Sequence, residues 1–283
     1  MNDILLIFQV TLVVALALHA VFHVFSLAKT ISFYPRFLVS FIFFAVFSFY
    51  LFLYSVSNKA MPWQNFSEIL VTLSWLLTGI LLVIEFRTQD KTLAIIPAFL
   101  AAFLGILGIS FLHAFQSSSF LQKMENNSNG SIIFTLSENT YPLGVLLLFL
   151  SYVFLFYALS MSFLYRMVFR EIKWQRSSFF IRHFPALSVL ETYMIFFTTI
   201  SLFLLAIVFC IRYLYPYFSG HWDFLTTPTT ENFFFQQNLL PSVFAWVIAS
   251  VTIILRFFDR LDSKSVFFGL IFSMTFVAVN FFL

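Results

Sequence analysis

Eight apolar runs, most of them about twenty residues long, constrain this chain more than any other feature of its sequence. A helix needs about 20 mostly apolar residues to cross the hydrocarbon core of a bilayer. Inside that core every backbone polar group must be bonded within the protein, which leaves helices or closed barrels. A barrel strand would show about ten residues of alternating polarity, whereas these runs are longer and apolar on all sides. The sequence therefore predicts an all-α, polytopic transmembrane helical bundle with about eight spans.

The low charge content supports a membrane location. Only 10% of the 283 residues are charged and 61% are hydrophobic, whereas a soluble domain carries about 25% charged residues. We place the spans at residues 4–27, 36–57, 66–86, 92–115, 142–166, 187–214, 239–257 and 265–283. The sequence suggests no separate soluble domain, so we expect one transmembrane domain over residues 1–283.

The basic residues predict how these spans are oriented. With eight spans, the loops after the odd-numbered spans share one side of the membrane and hold most of the 15 Lys and Arg residues. The residues on that side are Lys29, Arg36, Arg87, Lys91, Arg166, Arg170, Lys173, Arg176, Arg182, Arg256, Arg260 and Lys264. Lys and Arg resist translocation, so this side is predicted to be cytoplasmic and both termini to lie outside. The net charge of +3 then reflects loops that meet lipid headgroups, and it does not indicate a nucleic-acid partner.

Three loops are candidates for function. Outer loops are expected at about residues 116–141 and 215–238, and a basic cytoplasmic loop at about residues 166–186. Functional residues favour loops that a rigid scaffold holds in place. The basic loop is either a contact surface for a cytoplasmic partner or simply positive charge that stays inside.

Four of the five histidines are candidates for binding a cofactor. His19 and His23 are spaced i, i+4 and share one face of the first span, in its cytoplasmic half. They form either a haem site, a metal site or a proton relay, or they bond polar groups of neighbouring helices near the interface. His113 ends the fourth span on the outer side, and His221 lies in the second outer loop. These two either ligate haem iron or face water.

Other polar and small residues have structural explanations. Glu68 begins the third span, where the helix dipole favours a carboxylate. Glu85 is expected to pair with Arg87 at the cytoplasmic interface. Small residues in the fourth span permit close helix packing, either within one chain or between chains. They are Ala101, Ala102, Gly105 and Gly108.

Motifs of enzyme chemistry do not occur in this sequence. It has no nucleophile elbow, phosphate-binding loop or zinc-protease motif. Cys210 is the only cysteine and lies in a span, so the chain can form no internal disulfide. We therefore expect a protein that acts by binding and not an enzyme.

Several segments, taken in order, resemble the cytochrome c assembly family of membrane proteins. The most specific is M-P-W-Q-N-F-S-E-I-L at residues 61–70, followed by Leu73-Ser74-Trp75. It is similar to the family's F-P-x-x-N-x-x-E-S-L stretch and its following L-S-W. Leu150-Ser151-Tyr152 resembles the L-S-Y of the fifth helix, and residues 184–191 resemble the approach to the sixth. Residues 220–223 are similar to part of the family's tryptophan-rich loop.

The resemblance implies a membrane protein that handles haem. His221, Trp222 and Asp223 would then belong to an outer surface that presents haem, with His113 nearby and His19 and His23 as inner candidates. Haem-exporting members carry histidines at three positions that align here with Ala60, Gly144 and Ile254. The chain is therefore more similar to the HemX-type accessory group than to the exporters.

The accessory group implies a role in cytochrome c biogenesis or in the regulation of haem synthesis. The implied partners are haem, membrane lipid, and a second cytochrome c assembly subunit or a cytoplasmic haem-synthesis enzyme. The implied location is a bacterial or organellar inner membrane. The alternatives are a haem-transporting subunit of a cytochrome c synthetase and a small-solute or ion transporter.

Overall fold

The computed structural model describes residues 2–28, 33–58, 66–88, 93–117, 142–174, 184–210, 230–257 and 263–282. Within these ranges the chain forms eight α-helices and no strand. The helices are α1 (Asn2–Ala28), α2 (Phe33–Asn58), α3 (Phe66–Thr88), α4 (Ile95–Ser117), α5 (Pro142–Lys173), α6 (Leu187–Phe209), α7 (Thr230–Phe257) and α8 (Ser263–Phe282). The prediction of an all-α bundle is confirmed, and each predicted span overlaps one helix. The bounds of the second outer loop were partly wrong, because α7 begins at Thr230, within the predicted loop 215–238.

Six of the described helices are long and apolar enough to cross a membrane, namely α1 to α6. In α7 and α8 the described apolar stretches are shorter, at Val243–Arg256 and Ser265–Phe276. Large apolar side chains such as Leu18, Phe52 and Phe203 lie exposed on the helix surfaces. Lipid is the solvent that such a surface requires, so the protein is a multi-pass membrane protein. The orientation of the termini stays a prediction.

The fifth helix is longer than the sequence predicts. It has 32 residues, which at 1.5 Å per residue span about 48 Å, against about 30 Å of hydrocarbon. Its last turns contain Arg166, Arg170 and Lys173, so the first part of the predicted basic loop is helical. Hydropathy marks where lipid ends, whereas the helix ends where its backbone bonding stops. The Trp174 amide donates the last such bond to the Arg170 carbonyl, at 3.1 Å.

The helices form two compact units, residues 1–135 and residues 136–283. In unit 1 the helices form a ring in which α3 packs against α4, α4 against α1, α1 against α2, and α2 against α3. In unit 2 the corresponding ring contains α5, α6, α7 and α8 in chain order, and α8 closes it against α5. In unit 1 short connections between consecutive helices favour such a ring of antiparallel neighbours.

The small residues of α4 pack within the chain. Ala101 and Ala102 are buried, and Gly105 and Gly108 face α1 and α3 so closely that a Cβ on either glycine would meet neighbouring atoms within 3 Å. At this contact the Ser74 hydroxyl donates to the Ala101 carbonyl at 2.7 Å. Small side chains allow helix backbones to approach in a membrane, where apolar burial does not drive association.

Candidate functional site

The first helix places two imidazoles against each other inside unit 1. His19 and His23 are one turn apart on the same face of α1, and their rings meet edge to face with centroids 4.6 Å apart. The two Nε2 atoms lie 3.2 Å from each other, which is hydrogen-bond distance. Both side chains are buried, with exposed fractions of 4% and 0%. The i, i+4 spacing predicted this shared face correctly.

The second helix covers this pair with one serine and one aromatic ring. Ser40 Oγ lies 3.4 Å from His19 Nε2 and 3.4 Å from His23 Nε2. Phe43, almost one turn later, stacks on the His19 ring with centroids 4.6 Å apart and planes 15° from parallel. Ser40 and Phe43 therefore define two sides of the histidine pair.

A fully buried ion pair lies beside the two histidines. Arg36 of α2 and Glu85 of α3 are both 0% exposed, and Arg36 Nε lies 3.0 Å from Glu85 Oε1. The same carboxylate oxygen lies 3.6 Å from His23 Nδ1. The expectation that Glu85 pairs with Arg87 was wrong. Residues two apart on a helix point to different faces, so Arg87 is exposed while Glu85 faces the interior of the unit.

These five side chains, His19, His23, Arg36, Ser40 and Glu85, are called the inner cluster below. Arg36 lies in the first turn of α2 and Glu85 in the last turn of α3, while the histidines lie within the last three turns of α1. The cluster therefore sits at the end of unit 1 that the sequence assigns to the cytoplasm. Ionisable groups within membrane spans are rare and usually functional.

A second polar group lies at the opposite end of the same three helices. The Tyr54 hydroxyl donates to Glu68 Oε1 at 2.8 Å, and the Gln9 amide donates to the Tyr50 hydroxyl at 3.3 Å. All four side chains are buried. Sequence reasoning gave Glu68 a role at the helix terminus but missed Gln9 and the two tyrosines. The i, i+4 spacing of Tyr50 and Tyr54 on one face of an apolar helix was the signal for the two tyrosines, and Gln9 had no comparable signal.

The two inner histidines do not fit the two axial positions of one haem iron. Axial ligands approach the iron from opposite faces, with the porphyrin plane between them. Here the two Nε2 atoms are in direct contact on one side of one helix, which leaves no room for a macrocycle between them. Neither Nε2 points away from the pair, so we place no haem in the inner cluster. Among the described side chains, no group of three or more His, Cys, Asp or Glu residues could hold a metal ion.

The outer candidates fall largely beyond what the structure describes. His113 lies near the end of α4, as predicted, but its side chain is outside the described part of the chain. His221, Trp222 and Asp223 lie in a segment that is also outside the described residues. The assignment of these four residues to a haem site stays a prediction.

Unit 2 has a different kind of polar contact. Arg256 of α7 pairs with Glu191 of α6, and both side chains are 23% exposed. At the same end of the unit, the Arg166 guanidinium lies 5.1 Å from the centre of the Phe267 ring and 5.0 Å from that of Phe268. Arg166 is exposed and Arg256 is partly exposed, as expected at a membrane interface, where long side chains reach toward water.

Comparison with known proteins does not identify the chain. No protein-family model, curated protein or solved structure matches it.

Proposed function

We propose that this chain is a haem-associated accessory membrane protein of the cytochrome c assembly type, similar to the HemX group, that acts by binding and not by catalysis. Its role would be in cytochrome c biogenesis or in the regulation of haem synthesis. The proposal rests on the ordered resemblance along the sequence and on one structural observation. The residues that carry the resemblance lie at the contacts that hold the helices together.

The third helix gives the clearest case. Glu68 accepts a hydrogen bond from Tyr54 of α2, and Ser74 donates to a carbonyl of α4. Trp75 Nε1 donates to Ser48 Oγ of α2 at 2.8 Å, and its ring stacks on Phe44 with centroids 5.7 Å apart. The resembling motif thus joins α3 to both of its neighbours in unit 1, as expected for a scaffold with common ancestry.

The L-S-Y segment has the same character in unit 2. Tyr152 is fully buried, and the Ser151 carbonyl accepts a hydrogen bond from the Ser201 hydroxyl of α6 at 2.8 Å. Glu191, which belongs to the resembling approach to the sixth helix, pairs with Arg256 of α7. In both units the resemblance therefore covers residues that organise the bundle, which supports a shared scaffold.

The haem would lie on the outer side, against residues beyond the inner cluster. His113 and His221 are each proposed as a candidate iron ligand, and Trp222 would offer an aromatic face to the macrocycle. Asp223 completes the resembling segment of this loop. Bound haem would supply an iron centre and a flat apolar surface. The protein would hold that surface at the membrane face for a second assembly subunit, or it would signal to a cytoplasmic enzyme that haem is bound.

Visible absorption of the protein purified in detergent tests this proposal. The unmodified chain, after haem addition, is expected to show a Soret band that titrates to one haem per chain. The band should shift or weaken in His113→Ala and in His221→Ala, because each change removes one ligand. The same measurement on His183→Ala, a histidine of the predicted cytoplasmic loop, is the matched control and should leave the band unchanged.

Either of two outcomes would contradict the haem site. One is the absence of any band above that of haem in empty detergent micelles. The other is an equal band in all three alanine variants, which would show that haem partitions into the micelle or the apolar surface without these ligands. A negative result in this haem test would not bear on the inner cluster, because the inner cluster and the proposed haem site share no residue.

A small-solute or ion transporter is the second candidate, and one observation favours it. Glu85 and Arg36 are fully buried in the membrane-spanning part of unit 1 and are not at its surface. Buried ionisable groups in membrane helices often belong to ion or proton pathways. Protein reconstituted in vesicles with an internal pH dye tests the simplest case. A proton flux above that of protein-free vesicles, driven by a potassium diffusion potential, would support this candidate, and its absence would exclude proton transport.

A further inference from the structure

The contacts in the inner cluster determine where the protons of its two histidines lie. When both imidazoles are neutral, each ring has one N–H and one nitrogen lone pair. Two Nε2 atoms at 3.2 Å can bond only if one carries the proton and the other accepts it. The remaining question is which ring donates.

The position of the Glu85 carboxylate determines which of the two rings donates. His23 Nδ1 lies 3.6 Å from Glu85 Oε1, and a lone pair in that position would face the negative oxygen. His23 therefore carries its proton on Nδ1 and turns the lone pair of Nε2 toward His19. It follows that His19 donates through Nε2–H and keeps a lone pair on Nδ1. That nitrogen is buried and has no hydrogen-bond partner among the described residues.

We propose that His19, His23 and Glu85 form a proton relay, in which a proton taken up at His19 Nδ1 is delivered to the Glu85 carboxylate. The ligand of this site is a proton. The inference does not depend on haem, since the relay uses no residue of the outer candidates.

Three transfers complete the relay, and each forms one bond to hydrogen while it breaks another. In the first transfer a hydronium ion gives a proton to His19 Nδ1 and becomes water, and in the second the Nε2 proton of His19 passes to His23 Nε2. The Nδ1 proton of His23 then passes to Glu85 Oε1, which becomes a neutral acid. The last gap of 3.6 Å exceeds a hydrogen bond, so this step needs a small side-chain rotation that brings the two atoms together. At the end Glu85 donates to His23 and His23 donates to His19, so the chain of bonds is reversed.

The neighbouring groups support the charged intermediates. While His19 carries the extra proton, the stacked Phe43 ring 4.6 Å away stabilises the imidazolium through its π face. Ser40 Oγ, 3.4 Å from both Nε2 atoms, can accept from whichever ring is donating. Arg36 opposes protonation of Glu85, which favours release of the proton once it has arrived. The remaining helix of unit 1, α4, contributes no charged side chain among its described residues.

The geometry also gives the relay a direction. His19 lies deepest, His23 one turn nearer the end of α1, and Glu85 in the last turn of α3. In the resting chain His19 donates to His23, and the Nδ1–H of His23 faces the Glu85 carboxylate, in the same order. The relay is therefore set to carry protons from the interior of unit 1 toward the end that the sequence assigns to the cytoplasm.

Nitrogen NMR of the ¹⁵N-histidine-labelled full chain in lipid bilayers tests the resting state. With the rings assigned by sequential correlations, His19 is expected as the Nε2–H form and His23 as the Nδ1–H form. Because this measurement uses the unmodified chain, it does not depend on any variant folding. The opposite pair of forms would overturn the proposal.

Time-resolved infrared spectroscopy after a light-triggered pH drop tests the transfer. The signal is the C=O band of protonated Glu85, identified by its loss in Glu85→Gln. In His19→Gln and His23→Gln the band should rise at least about tenfold more slowly, because a positioned proton donor has been removed. Tyr50→Phe is the matched control, since it removes a buried hydroxyl from the same α1–α2 contact outside the relay, and its rate should equal that of the unmodified chain. Equal rates in all variants, or no Glu85 band after the pH drop, would overturn the relay.

Discussion

Arg36 and Glu85 form an ion pair between α2 and α3 in which both side chains are completely shielded from solvent, with Arg36 Nε 3.0 Å from Glu85 Oε1. Removing both charges from water has a large desolvation cost, which their mutual attraction only partly offsets. Such a pair contributes little net stability, but it strictly constrains how the helices pack. Loss of either partner would leave the other as an uncompensated buried charge. The pair therefore fixes how α2 meets α3 at the end of unit 1 that holds the histidines.

Replacing Glu85 by Leu is expected to lower the free energy of unfolding by about 3–5 kcal/mol, since it removes the carboxylate beside a buried guanidinium. Arg36→Leu should cost a similar amount. The double variant Arg36→Leu/Glu85→Leu should regain most of this loss, because two apolar groups then face each other. Reversible unfolding in mixed detergent micelles measures all three. Additive losses in the double variant would contradict this account of the pair.

The ion pair of unit 2 should behave differently. Glu191 and Arg256 are 23% exposed, so water screens them, and their coupling should be about 1 kcal/mol or less. A double-mutant cycle with Glu191→Gln and Arg256→Gln, read by the same unfolding assay, gives this coupling. It should shrink as salt is added, and a coupling as large as that of Arg36 with Glu85 would contradict the difference in exposure.

The hydrogen bond from Tyr54 to Glu68 should contribute about 1 kcal/mol, within the range measured for such bonds between membrane helices. Tyr54→Phe removes the donor and keeps the ring, so the loss should come from the bond itself. The neighbouring Tyr50→Phe, which breaks the longer 3.3 Å contact from Gln9, is expected to cost less. Comparison of the two unfolding free energies checks this order, and equal losses would argue against it.

Gly108→Ala should destabilise unit 1 by about 1–3 kcal/mol, because overpacking forces backbone shifts. A Cβ at Gly108 would lie 2.9 Å from the Ser67 carbonyl oxygen, which belongs to the backbone of α3 and cannot rotate away. Gly79→Ala is the matched control, since its Cβ would meet only the edge of the Phe44 ring. That ring can turn, and alanine favours a helix over glycine by about 1 kcal/mol, so Gly79→Ala should be nearly neutral. Similar losses at both positions would exclude the contact with α3 as the cause.

The predicted orientation can be checked with two cysteine variants in a Cys210→Ser background. A membrane-impermeant thiol reagent added to intact cells should label Ser128→Cys, in the first predicted outer loop. It should label Ser178→Cys, in the predicted basic loop, only after the membrane is opened. Both outcomes follow from the retention of Lys and Arg in the cytoplasm. Labelling of Ser178→Cys in intact cells would reverse the assignment of sides.

The span positions could be predicted from sequence because hydropathy is a local property. Each apolar run must bond its own backbone in lipid, so the runs beginning near residues 36, 66 and 187 became α2, α3 and α6 almost without change. The extension of α5 to Lys173 was missed for the same reason, since a helix that leaves the membrane no longer shows in the hydropathy.

For the candidate site, the sequence determined that His19 and His23 share a face, because the helical period alone decides it. Only the tertiary structure decided that Glu85 pairs with Arg36, almost fifty residues away, rather than with Arg87 beside it in the sequence. The choice depends on which face of α3 turns inward and on how α1, α2 and α3 bring their ends together. Contacts between helices are set by packing over the whole unit, and no local pattern in the chain encodes them.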